Sequence, residues 1–305
     1  MRADGAGCII GISDANSVAR IDGLRRLDRK RLYFMKTNYH THTARCRHAS
    51  GTEAEYVEAA LHSGFDVLGF ADHCPWPFDD GFESTFRMLP GEFDGYVECV
   101  RGLKREYAGR IEIYCGLECE YYPDMLGWID DLADANGLDY LILGNHYALD
   151  ERTGMYCGAC HTPADLRHYV ACTTKGMATG MFSYLAHPDL CFRTYRGFDP
   201  DCAAASRELC QCARQLDMPL EYNLLGVLYH ERGMHNGLGY PCDGFWEIAA
   251  QEGVKCIIGV DAHSARQLAN TARYDAAVKY LKDLGLERVE RIRFRHGAQQ
   301  TDEAK

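Results

Sequence analysis

The chain has 305 residues, 47% of them hydrophobic, enough to bury a sizeable core in one large domain or two small ones. A formal net charge of -11 and a sequence pI near 5.6 exclude a general nucleic-acid or membrane-surface binder, which would carry basic patches. Fifteen irregularly spaced cysteines, no secretory signal and no apolar run near the roughly 20 residues of a membrane span point to a reducing cytoplasm and no disulfide framework.

Residues 1–34 carry no clear strand pattern and include the basic stretch from Arg25 to Arg31. They read as an appendage preceding a single domain over 35–305; the alternative is an N-terminal helix packing through Ile21, Leu24 and Leu27. From there, short apolar runs alternate with helix-like stretches. The runs are Lys36–His40, Val67–Ala71, Ile111–Leu117, Tyr140–Leu143, Phe182–Ala186, Leu220–Tyr222 and Cys256–Val260. Near-continuous apolar strands separated by amphipathic helices predict a parallel α/β sheet covered by helices. Seven such units predict a closed or nearly closed, TIM-like barrel.

Thr52 and Glu55 have the spacing of a capping box, and Tyr56, Val57, Ala60 and Leu61 follow as an apolar stripe ending at Gly64. Helices are also expected over Asp94–Tyr107, with Tyr96, Val100 and Leu103 inward, and over Thr271–Leu284, with Ala277, Tyr280 and Leu284 inward. Thr162 to Asp165 opens another.

Seven of the thirteen histidines fall at or just after the ends of these runs. They are His40, His42, His48, His73, His146, His187 and His263, joined by Glu118 and Asp261. In a parallel β/α barrel, chemistry collects at the C-terminal strand ends. Imidazoles and carboxylates delivered to one rim are what a multi-metal hydrolytic site needs. His40 and His42, two apart on an extended segment, face one side and can share an ion.

Three features are set aside. Cys157-Gly158-Ala159-Cys160-His161 matches the haem-attachment form, but covalent c-type haem needs export and no signal is present. His62, His161, His168, His230, His235 and His296 fall outside the strand-end set, although His230 and His235 flank a glycine-rich loop suited to covering a substrate. No P-loop, Rossmann or nucleophile-elbow pattern occurs.

The ordered segments His40-Thr41-His42, Arg47-His48, Asp72-His73, Gly116-Leu117-Glu118, Asn145-His146, Ala186-His187-Pro188 and Asp261-Ala262-His263 resemble the polymerase-and-histidinol-phosphatase (PHP) superfamily. Asn38 to Thr43 with Cys46 and His48, Glu221-Tyr222-Asn223, and Gly259 to His263 are similar to its monofunctional histidinol-phosphatase branch. The resemblance runs from about residue 36 to 270. It implies a distorted (β/α)7 barrel, three divalent cations (Zn, Mn or Fe) and hydrolysis of L-histidinol phosphate in histidine biosynthesis. Carried over, one cation falls to His40, His42, Glu118 and Asp261. A second shares Glu118 and adds His146 and His187. The third takes His48, His73 and His263. Glu118, Asp261 and His263 are cast as catalytic, Asp72 as an acceptor orienting a ligand, and Arg193 and Arg196 as grips on phosphate oxygens. Glu118 is preferred over Glu120 because it follows Gly-Leu directly. Val260 stands where the family commonly has Ser. The rival expectations are a PHP phosphoesterase acting on a nucleotide or phosphotyrosine, and a non-catalytic metal-binding scaffold. The expected partner is a small phosphorylated substrate, with no nucleic acid or membrane; the oligomeric state is left open.

Overall fold

The structure is a computed structural model and describes residues 34–295. The chain divides after Met35, and the unit beginning at Lys36 is the one described here. The appendage expected over 1–34 and His296 fall outside the described residues, Phe34 excepted.

Seven strands occur among the described residues: β1 (Thr37–Asn38), β2 (Val67–His73), β3 (Glu112–Cys119), β4 (Tyr140–Leu143), β5 (Leu220–Asn223), β6 (Lys255–Gly259) and β7 (Glu287–Arg288). All pair in parallel, in the orders β1-β2-β3-β4 and β5-β6-β7. Single parallel bridges continue the curl: Leu143 to Leu185, Leu185 to Leu220, and Thr41 to Ala262. The result is a mixed α/β fold built on a curled parallel sheet.

The expected run Phe182–Ala186 is corrected here. It is not a strand, and only Leu185 bridges its neighbours. The segment still satisfies its backbone on both sides, since Ser183 N–H donates to Leu141 and Leu185 N–H to Pro219. The short β7, which carries no apolar run, was not anticipated.

Helices cover the sheet: α1 (Glu53–His62), α2 (Phe93–Glu106), α3 (Leu126–Ala135), α4 (Pro163–Ala178), α5 (Pro200–Gln215), α6 (Leu224–Glu231), α7 (Asp243–Glu252), α8 (Ala265–Ala269) and α9 (Ala272–Asp283). The capping box of α1 forms as read: Thr52 N–H donates to Glu55 Oε2 at 2.7 Å and Glu55 N–H to Thr52 Oγ1 at 3.3 Å. Its residues Tyr56, Val57 and Ala60 are buried, as are Tyr96, Val100 and Leu103 of α2. In α9 the buried face is rotated slightly from expectation: Tyr274, Ala277 and Leu281 are buried, while Tyr280 and Leu284 pack at its edge. Thr162 caps α4 with Asp165 as its partner.

The Tyr140 side chain occupies the space left by Gly69 on β2 and Gly116 on β3, where an added Cβ would meet it at 2.3 and 2.7 Å. The Tyr140 hydroxyl donates to the carbonyl of Tyr39 at 2.7 Å and approaches that of Phe70 at 3.0 Å, so a polar group at the centre stays satisfied. No described helix is long and apolar enough to cross a membrane.

Candidate metal centre

The parallel register sets the first contacts. β2 and β3 align His73 with Glu118, and His73 Nδ1 lies 3.0 Å from Glu118 Oε2. At the end of β1, Asn38 donates through Nδ2 to the His40 carbonyl and accepts the Val260 N–H through Oδ1 at 2.8 Å. His42 N–H then donates to the Ala262 carbonyl at 2.9 Å. These bonds bring the His40/His42 pair against Asp261.

The side chains converge accordingly. His40 Nε2 and His42 Nε2 are 3.2 Å apart. His42 Nε2 lies 3.1 Å from Asp261 Oδ1 and 3.5 Å from Glu118 Oε2; His40 Nε2 lies 3.6 and 3.4 Å from the same two atoms. Glu118 Oε1 faces the other way, 2.8 Å from His187 Nε2 and 3.5 Å from His146 Nε2. His48 Nε2 and His263 Nε2 approach to 2.9 Å, and with His73 their ligand atoms lie within 4.8 Å of one another. The same closeness holds for His40, His42 and Asp261, for His40, Glu118 and His187, and for His42, His73 and Glu118.

The cluster suits a cation on two counts. Glu118 Oε2, Asp261 Oδ1 and His73 Nδ1 are buried and have no hydrogen-bond partner, despite ring nitrogens close by. Atoms that approach without hydrogen-bond alignment are aimed at a shared centre rather than at each other, and leaving them orphaned is costly. Electrostatics agree. Burial alone would raise the Glu118 and Asp261 carboxyls, but the surrounding imidazoles more than offset it and hold both well below the usual range. Burial alone would lower His40 and His42; Glu221, Asp261 and Glu118 push His40 well above its usual value, and Asp261 and Asp72 push His42 up to about 9. Burial, with the charge of His42, lowers His73, His48 and His263, the last to about 3, keeping those lone pairs open. The cluster draws positive charge to its acids and keeps His48, His73 and His263 neutral beside them, an arrangement that suits divalent cations.

Several residues hold the ligand side chains in place. Asp72 Oδ1 lies 3.3 Å from His42 Nδ1, and its Oδ2 accepts from the Thr43 N–H and hydroxyl. Glu221 had no assigned role in the sequence, yet it is central. Its Oε1 lies 2.8 Å from His40 Nδ1, and its Oε2 accepts from His187 N–H and Asn223 Nδ2, each at 3.0 Å. A glutamate inside the apolar run Leu220–Tyr222 was the signal. Asn223 Nδ2 also reaches Asp261 Oδ2 at 3.1 Å, so this carboxylate is steadied from β5 although Val260 brings no hydroxyl. Glu120 pairs with the fully buried Arg87 at 3.0 Å and lies 3.2 Å from His146 Nδ1. Backbone strain marks the same ends: His187 and Asp261 have φ of 30° and 51°, a region L residues rarely adopt.

The cluster opens into a cavity of about 380 Å³ lined by His48, His73, His146, His187, Asp261 and His263 on one side. Phe86, Tyr147, Tyr156, Tyr229, Tyr240 and Arg193 form much of the remainder. Arg193, its guanidinium carbon 6.0 Å from the Tyr156 ring centroid, is the lysine or arginine in that lining. Arg196 is exposed and is not in it. Cys157 and Cys160 are buried, with the Cys160 thiol donating to the Cys157 carbonyl.

A curled parallel sheet whose rim brings seven imidazoles and two carboxylates into one cluster marks a protein of the α/β class with side-chain groups that could hold divalent cations. The chain belongs to the PHP domain family, whose profile matches residues 38–224. It is similar to the Probable histidinol-phosphatase of Deinococcus radiodurans, with 28% identity over 261 residues, covering 81% of this chain and 92% of that one. Its fold is similar to that of the histidinol phosphate phosphatase of Lactococcus lactis, solved in complex with zinc, L-histidinol and phosphate (TM-score 0.64, 17% identity, 83% of this chain and 95% of that one). The hisK protein of Listeria monocytogenes aligns equally well (TM-score 0.64, 18% identity, 77% of this chain and 98% of that one).

Proposed function

We propose that this protein is a metal-dependent phosphomonoesterase that hydrolyses L-histidinol phosphate to L-histidinol and phosphate. The observation that carries the reading is Glu118, whose two oxygens face different sets of imidazoles, with Asp261 closing one set. The Deinococcus relative supports the choice of substrate. The strand segments with their bridges at Thr41, Leu185 and Leu220 support a distorted seven-stranded barrel.

Three cation positions fit these residues. His40, His42, Glu118 and Asp261 would hold one, Glu118, His146 and His187 a second, and His48, His73 and His263 a third. The mixed nitrogen and oxygen donors suit Zn, Mn or Fe. When bound, such cations neutralise a phosphate dianion and lower the pKa of water. The chain's own part is to position and enclose. Asp72, Glu120 and Glu221 orient the imidazoles. Arg193, in the lining of the same cavity, would donate to phosphate oxygens. Phe86, Tyr147 and Tyr240 offer apolar faces to the departing alcohol and keep water from it.

The test is phosphate release from L-histidinol phosphate beside a panel of nucleotides, phosphotyrosine and sugar phosphates, with chelator and with metal restored. Selective, chelator-sensitive turnover of histidinol phosphate is expected. Preference for another ester would move the substrate and keep the metal site; no turnover with any of the three metals would defeat the enzymatic reading.

A further inference from the structure

Beside the metal pocket lies a second cleft of about 410 Å³, which shares His48, His263, Leu225 and Tyr229 with it. Its character differs from the rest of this acidic chain. Arg232, just after α6, Arg266 on α8 and Arg273 on α9 line it, with hydroxyls and amides from Ser50, Ser264, Gln267 and Asn270. No Asp or Glu is in that lining. Arg273 is committed to Glu231, its Nη2 2.6 Å from Oε2. Arg232 and Arg266 make no ion pair among the described residues. Both are exposed, and in a chain of net charge -11 they set two guanidinium groups without an ion pair along one cleft, beside a site full of buried charge. Positive charge collected in a cleft raises the local concentration of anions, and a guanidinium fork matches a tetrahedral oxyanion.

We propose that this cleft is a phosphate-dianion site adjoining the metal centre, built by Arg232 and Arg266 and reached through the shared His48–His263 wall. The choice of phosphate rests on the phosphatase reading of the neighbouring pocket; the capacity to bind an oxyanion does not. Histidinol itself carries an amine, so this cleft repels that leaving group and sorts the two products to different sides. An anion there has two possible origins, product phosphate leaving the metals or a second phosphate group on a larger substrate.

Inorganic phosphate is titrated calorimetrically, at low salt, into the full chain stripped of metal by chelation. The parent is expected to bind, and R232Q/R266Q to weaken binding about tenfold or more, the value of a lost charge-assisted contact. R266K, which keeps the charge, is expected to retain most of it. If the stripped parent binds no phosphate, or if binding falls in R193Q and not in R232Q/R266Q, the site does not exist. With metal-loaded protein the two origins separate. Slower steady-state turnover with intact single-turnover hydrolysis in R232Q/R266Q marks product exit. A raised KM confined to a bisphosphorylated substrate marks a second substrate phosphate. Absent turnover in the metal-loaded parent would count against the phosphatase reading and leave the binding result standing.

Discussion

Glu118 and Glu120 stand two residues apart at the end of β3 and have opposite duties. Glu118 meets imidazoles through both oxygens, while Glu120 takes the buried Arg87 guanidinium at 3.0 Å and the Trp76 Nε1–H at 2.7 Å. Removing charge from the first should therefore empty the centre, whereas removing it from the second should leave the other imidazoles in place, loosening His146 and weakening the buried pair with Arg87. E118Q is expected to lose bound metal and turnover together. E120Q should lower metal affinity or activity about 10–100-fold, the usual cost of losing a ligand's supporting partner. Metal content after dialysis, measured by plasma mass spectrometry, decides it; equal metal in E118Q and the parent sinks the bridging role.

Glu221 touches His40 and the His187 backbone at once, so E221Q should affect two proposed cation positions. Metal affinity in competition with a chelator is expected to fall about 10–100-fold while far-ultraviolet circular dichroism stays unchanged. An affinity equal to the parent's would show that the imidazoles hold their orientation without it.

Most of the strand ends were legible because the apolar run stops at or near a histidine or an acid, and period-two geometry places His40 beside His42 whatever the tertiary fold. Glu221 was quoted in the motif but had no role, because its partner His40 lies 181 positions away and only the closing of the sheet joins them. The run Phe182–Ala186 looked like its neighbours yet pairs through Leu185 alone, with one bridge to each side, just before the positive φ of His187. Arg193 and Arg196 were indistinguishable in sequence; the turn between them sends one to the cavity and the other to the surface.

That divergence makes a paired test. R193Q should cost about tenfold or more in kcat/KM for histidinol phosphate, and R196Q less than about twofold, because a charged hydrogen bond is worth far more than a solvated surface charge. Steady-state kinetics on both variants checks it. Equal losses would place the phosphate elsewhere in the pocket.

Acid sensitivity follows from the Arg87–Glu120 pair. Burial alone would raise the Glu120 carboxyl; Arg87 and His146 overcome that and hold it from its ordinary 4.5 down to about 2. The folded value is depressed, so the stabilisation is present above about 4.5 and drains away as pH falls towards 2. In metal-free protein, urea unfolding should show parent stability dropping through that window. E120Q, destabilised already at pH 7 because the buried Arg87 keeps Glu151 as its one ionised partner, should show a shallower drop. Parallel curves for the two proteins would remove the pair from the account.

Gly144 tests whether the centre depends on a backbone position that carries no ligand atom. A Cβ there would lie 2.1 Å from Glu118 Oε1 and 2.6 Å from its Cγ. Glu118 is buried and faced by imidazoles on both oxygens, so it can yield only by leaving the cluster. G144A is therefore expected to keep the fold, because the displaced group is a side chain rather than a strand, and to lose metal as E118Q does. A melting curve and metal content on the same sample separate the outcomes: full metal loading in G144A would mean that the carboxylate has freedom its crowded surroundings argue against.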